Sequence, residues 1–175
     1  MNKTAVLYVL ASAALFGAST PAAKLLLGAI DPIVLAGLLY CGAGSGVGIL
    51  RRLAPGIIRF SSAAQVPLDR KDVPWLGAAI ASGGVAGPLL LMWGLARTDA
   101  AAASLLLTLE GAATALIAWF LFYENFDRRI LLGMICLVAG AAILSWSGTP
   151  TLQNILGPLA ILGACIAWGL DNNLI

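Results

Sequence analysis

The chain has 175 residues, 61% hydrophobic and 10% charged, with a net charge of +2 and a mean hydropathy of +0.97. A soluble domain carries about 25% charged residues, so the composition excludes an ordinary water-soluble enzyme or binding module and indicates an integral membrane protein. There is no histidine, and Cys41, Cys136 and Cys165 fall singly inside apolar runs, so neither a metal site nor a disulfide framework is expected.

The first apolar run extends from Ala5 to Leu27 behind Lys3. It is longer than the ~7–15 residues of a signal-peptide core, so it reads as a retained helix despite the cleavage-like Ala11-Ser12-Ala13. Thr20-Pro21 lies within it. Proline removes a backbone hydrogen bond, so Pro21 predicts a kink or local unwinding. Asp31-Pro32 is a turn signal, and the second run follows over Ile33–Leu50 with Gly42, Gly44, Gly46 and Gly48. The only long connection, Arg51 to Asp72, is polar and basic.

The third run, Val73–Leu95, contains Gly83 and the pair Gly87-Pro88, a second candidate break. Small residues spaced by four let helices approach closely in lipid, which favours packing within the chain; dimerisation is the alternative. Arg97-Thr98-Asp99 is the next turn. The fourth run, Ala100–Tyr123, is uncharged except for Glu110 near its middle. About 20 apolar residues cross the ~30 Å hydrocarbon core, so Glu110 falls near the midplane. A carboxylate there costs at least a few kcal/mol and marks a substrate or proton path by default. The plainer reading is a protonated acid that hydrogen-bonds a neighbouring helix.

The fifth run is Ile130–Trp146, the turn Gly148-Thr149-Pro150 follows, and the sixth run is Ile155–Ile175. That last run ends on Trp168-Gly169-Leu170-Asp171-Asn172-Asn173, polar where a span should be apolar, and is expected to be cut short. Only helices and closed barrels satisfy the backbone in lipid, and these lengths do not suit the ~10-residue strands of a barrel. The fold class is therefore all-α, a polytopic helical bundle.

Basic residues set the orientation. With the N-terminus in the cytoplasm, eight lie inside (Lys3, Arg51, Arg52, Arg59, Arg70, Lys71, Arg128, Arg129) and two outside (Lys24, Arg97). The basic loops flank spans, so nucleic acid is not expected as a partner. Tyr8, Tyr40, Trp75, Trp93, Trp119, Tyr123 and Trp146 read as interfacial aromatics; Phe16 and Trp168 fall within runs instead. Leu7–Leu25 aligns weakly with the segment from Leu159, bringing Phe16-Gly17 onto Trp168-Gly169. Five spans separate the two starts, so the first and sixth helices run in opposite directions, as in the inverted repeats of secondary transporters.

These residues resemble the EamA-like domain of the drug/metabolite transporter superfamily. Phe16-Gly17 stands where the family shows Trp-Gly, with Lys24 near that helix's end. Arg97-Thr98 and Ala100 to Leu107 are similar to its arginine-led fourth helix, and Leu109-Glu110-Gly111 to its Leu-Glu-Pro, with Gly111 replacing the proline. Trp119 to Glu124 resembles a helix end that closes in glycine–glutamate, with Tyr123 replacing the glycine. Arg129 to Gly133 and Ala139-Gly140 match the fifth helix, and Trp168-Gly169 restarts the pattern.

The resemblance implies a first five-helix repeat over 1–147, a periplasmic loop over 148–154, and over 155–175 the first helix of a second, inverted repeat. It implies a carrier of a small polar metabolite in a prokaryotic inner membrane, an exporter or exchanger working by alternating access, with or without proton coupling. Substrate or proton candidates are Glu110, Asp171, Asn172, Trp168 and Phe16; helix-break candidates are Pro21, Gly87 and Pro88. Expected partners are the bilayer, a small-molecule substrate, and a second half of the same protein or a homodimer partner; no cofactor or metal is expected. The alternative is an accessory membrane protein whose polar residues only fix helix packing. A membrane enzyme fits least, since Ser104 and Ser145 have no identifiable base. Glu124, Asp127, Arg128 and Arg129 read either as a gate or as a turn with interfacial anchors.

Overall fold

The computed structural model describes residues 3–53, 68–125, 127–145 and 152–174. Arg59, Trp146 and Gly148-Thr149-Pro150 lie outside the described residues. Within them the chain is helical and contains no strand. Helix α1 covers Lys3–Leu26 and α2 Pro32–Leu53. Helix α3, Val73–Ala79, passes into a π-helical segment, Ile80–Ala86, and then into α4, Gly87–Arg97. Helices α5, Ala100–Leu107, and α6, Leu109–Leu121, are separated only by Thr108. Helix α7 covers Arg128–Ser145 and α8 Leu152–Leu174.

Among the described residues, five stretches are long and apolar enough to cross a membrane: Val6–Leu26, Pro32–Leu53, Val73–Arg97, Ala100–Leu121 and Ile155–Leu174. The expected span Ile130–Trp146 forms α7 as far as Ser145, and the rest of that span lies outside the described residues.

The turns carry the capping chemistry their residues predict. The Asp31 carboxylate accepts from the Ile33 N–H at 2.9 Å, and the Asp99 carboxylate from the Ala102 N–H at 2.8 Å. Each satisfies a helix N-terminal donor that has no partner within its own helix. Lys24 binds the other kind of end. Its ammonium donates to the Leu95 carbonyl at 2.6 Å and the Ala96 carbonyl at 3.3 Å, tying α1 to the C-terminus of α4. Arg97 lies over the Trp93 ring, 3.7 Å from its centroid.

Helix α8 is the hub of the bundle, packed chiefly on α4 and α6 and also on α3, the π segment and α5. Leu91, Leu95, Leu106, Ile161, Ala164 and Cys165 form the centre of the core. Glycines set the approach. A Cβ on Gly94 would come within 2.7 Å of the Gly157 carbonyl oxygen, and one on Gly169 within 2.9 Å of the Thr114 nitrogen. Both are backbone atoms, so the seams α4–α8 and α6–α8 require glycine. The stripe Gly42, Gly44, Gly46 and Gly48 differs: nothing stands within 4 Å of a Cβ at any of them. The expectation of packing within the chain therefore holds for Gly83 and Gly87, which close on α8, and not for that stripe among the described residues.

The contacts fix the helix directions. Lys24 and Leu95 put the C-terminal ends of α1 and α4 together, whereas Gly94 meets Gly157 near the start of α8 and Gly83 meets Asp171 near its end. Helix α8 thus runs opposite to α4 and to α1.

Candidate functional site

The helix continues through Gly87-Pro88, but ahead of that pair it changes register. The Gly87 N–H donates to the Ser82 carbonyl, five residues back, in the π register. In an α-helix that N–H would have served the Gly83 carbonyl. In the π register the donor to Gly83 would be residue 88, a proline without an N–H. The Gly83 carbonyl is therefore without a helical donor in either register. Two side chains serve it instead: the Trp168 indole N–H donates at 3.0 Å and the Tyr40 hydroxyl at 3.3 Å. Lipid offers backbone groups no partner, and freed carbonyls persist only where protein or a cavity serves them.

A cavity of about 250 Å³ opens here, lined by Tyr40, Ala79, Ile80, Gly83, Gly84, Trp168 and Asp171. The two glycines one turn apart cradle α8. A Cβ on Gly83 would overlap the Asp171 carboxylate, and one on Gly87 would stand 2.6 Å from Trp168 Nε1.

The other face of α8 meets α6. The Asn172 amide donates to Glu110 Oε1 at 3.3 Å and to Thr114 Oγ1 at 3.4 Å. Asn173 donates to the Thr114 carbonyl at 3.1 Å and back to the Gly169 carbonyl at 2.7 Å. Thr114 is one turn beyond Glu110, and its hydroxyl donates to the Glu110 carbonyl at 2.9 Å. The result is a polar seam in apolar surroundings, one turn past the interruption at Thr108.

Four of the candidates, Glu110, Asp171, Asn172 and Trp168, thus gather around the last two turns of α8, on two faces. Phe16 is not brought to them; it stands exposed on α1, outside the cavity lining. Pro21 lies inside the continuous helix α1, so the expected unwinding does not occur there. Tyr40 was missed by sequence reading, which places it in the interfacial belt. Its position well inside the run Ile33–Leu50 was the available signal. Thr114 was also missed, although its spacing of four from Glu110 puts both on one helix face.

A second cavity, of about 410 Å³, lies at the end of α6, lined by Trp119, Tyr123, Glu124, Asn125, Arg128 and Leu131. Tyr123 has a φ of 54°, in the left-handed region.

A sequence model described as the EamA-like transporter family matches residues 3–146. An uncharacterized transporter of Methanothermobacter thermautotrophicus is 26% identical over 91% of this chain and 49% of its own length. The probable 4-amino-4-deoxy-L-arabinose-phosphoundecaprenol flippase subunit ArnE of Pseudomonas paraeruginosa is 39% identical over 43% of this chain and 63% of its own length. The chain spans about half the length of the first of these relatives and under two thirds of the second. No solved structure matches it.

Proposed function

Since the chain belongs to the EamA-like transporter family, we propose that it works as a secondary carrier for a small polar metabolite, by alternating access, in a prokaryotic inner membrane. The observation that carries this reading is the position of the polar groups. Glu110, Asn172 and Thr114 meet near the middle of the Ala100–Leu121 span, and the other face of α8 lines a cavity against the π-helical segment. Secondary transporters hold their cargo near the bilayer midplane, beside helices that depart from regular α geometry. Glu110 serves as the protonatable or substrate-binding group, with Asp171, Asn172 and Trp168 around the cargo. The relative named as a lipid-linked sugar flippase subunit supports a polar, membrane-crossing cargo.

The chain acts with a second half of the same protein or with another copy, its N-terminus in the cytoplasm. It performs no catalysis on this reading. Asn173, which stitches α6 to α8 through backbone carbonyls, favours a second reading in which the seam only fixes packing.

Transport against pH by Glu110→Gln separates the two. The carrier reading expects transport, or its pH dependence, to collapse while the fold is kept. Wild-type transport at every pH would leave Glu110 as a packing residue.

A further inference from the structure

The cavity at the π-helical break is rich in acceptors and poor in donors. Asp171 brings a carboxylate into it and Gly83 a backbone carbonyl released from helical bonding. Among the described residues no basic side chain lines the cavity and none pairs with Asp171. The two donors that enter, Trp168 and Tyr40, both point at Gly83. A ligand that fits must therefore bring donors, and a positive charge would balance the carboxylate.

The two bonds to Gly83 are unequal. Trp168 donates at 3.0 Å, within the ordinary range, and Tyr40 at 3.3 Å, beyond the usual length for a hydroxyl donor. Trp168 is also braced by Gly87, whereas Tyr40 reaches across from α2. Tyr40 is the weaker, replaceable partner. An ammonium N–H in its place would make a shorter, charge-assisted bond to the same lone pair.

We propose that this cavity takes a primary ammonium group, held by the Asp171 carboxylate and by the Gly83 carbonyl, with Tyr40 as the donor it displaces. The assignment rests on the carrier reading and names the substrate class for that site. It requires hydrogen-bond donors, so a quaternary ammonium is a poor ligand even though its charge is right.

The test uses the chain in lipid nanodiscs, titrated with isobutylamine, its trimethylammonium derivative, isobutanol and isobutyrate. Melting temperature and tryptophan fluorescence are the readouts. Isobutylamine should bind at least about tenfold more tightly than the other three, the scale of one charge-assisted hydrogen bond lost. Asp171→Asn should remove the preference for the amine over the alcohol. Tyr40→Phe should tighten amine binding severalfold, because the carbonyl loses its competitor; a merely structural Tyr40 would lower the melting temperature and leave affinity unchanged.

Equal binding of the quaternary ion, a preference for isobutyrate, an amine preference kept by Asp171→Asn, or no binding of any probe would each overturn the proposal. The wild-type series decides even if Asp171→Asn fails to fold. Amine binding without counterflow in liposomes would sink the carrier reading alone. Transport of another solute without amine preference would sink only this assignment.

Discussion

The Trp168 indole N–H donates to the Gly83 carbonyl at 3.0 Å, standing in for the donor that Pro88 lacks. One proline on α4 and one tryptophan on α8 are thereby coupled through a single backbone oxygen. Trp168→Phe keeps the ring and removes the N–H, and should cost about 1–2 kcal/mol. Pro88→Ala restores a backbone donor, so the same change should cost less in that background, with a coupling of about 0.5–1 kcal/mol. Thermal unfolding of the four proteins in one detergent measures it; strictly additive effects would contradict the exchange of donors.

The glycines should divide into two classes. Gly94→Ala and Gly169→Ala place a Cβ against backbone atoms and should cost about 1–3 kcal/mol, since the helices must separate. Gly44→Ala meets nothing within 4 Å and should be neutral, or stabilising by up to about 1 kcal/mol. The monodisperse fraction against temperature reports both. Destabilisation at Gly44 as large as at Gly94 would indicate that the α2 stripe is covered by something outside this chain.

Glu110 accepts from Asn172. Glu110→Gln retains shape and hydrogen bonding and should leave the melting temperature close to wild type. Glu110→Leu leaves the Asn172 amide without that acceptor and should cost about 1–3 kcal/mol. A Leu variant as stable as the Gln variant would show that the bond contributes nothing to the fold.

Tyr123 holds a left-handed backbone, which a Cβ disfavours by about 1 kcal/mol. Tyr123→Gly should therefore be more stable than Tyr123→Ala by about that amount, since both lose the ring and only alanine keeps the strain. Reversal of that order would mean the turn relaxes once the ring is gone.

Topology can be checked with single cysteines in a background free of Cys41, Cys136 and Cys165. The proposed orientation, with eight basic residues inside and two outside, would put Lys71 inside and Gly28 outside. In intact cells Gly28→Cys should react with an impermeant thiol reagent and Lys71→Cys should resist it. The opposite labelling pattern would invert the assignment.

The glycine that the family pattern shows at position 123 has a physical counterpart in the structure. The helix end turns through a left-handed residue there, and this chain carries it on tyrosine. The matching departure at Gly111 is different: α5 and α6 part at Thr108, whose hydroxyl donates to the Leu105 carbonyl, without any proline.

The sequence by itself determined the helical membrane class, the number and order of the apolar runs, and the turns at Asp31 and Asp99, because these depend on local hydropathy and on short-range hydrogen bonds. It also singled out Glu110 and Gly87-Pro88, since a charge in lipid and a missing N–H are costly wherever they occur; the structure shows a π-helical segment ahead of that pair in a continuous helix. Only the tertiary structure decided what serves the freed Gly83 carbonyl and which residues share a cavity. Tyr40 and Trp168 are separated from Gly83 by 43 and 85 residues along the chain, and no local pattern records which helix faces which. Residues 168 and 171 turn toward the π segment and the start of α4, and 169, 172 and 173 toward α6, because close packing through Gly87, Gly94 and Gly169 fixes the rotation of α8. That rotation is a property of the assembled helices and is not contained in any one of them.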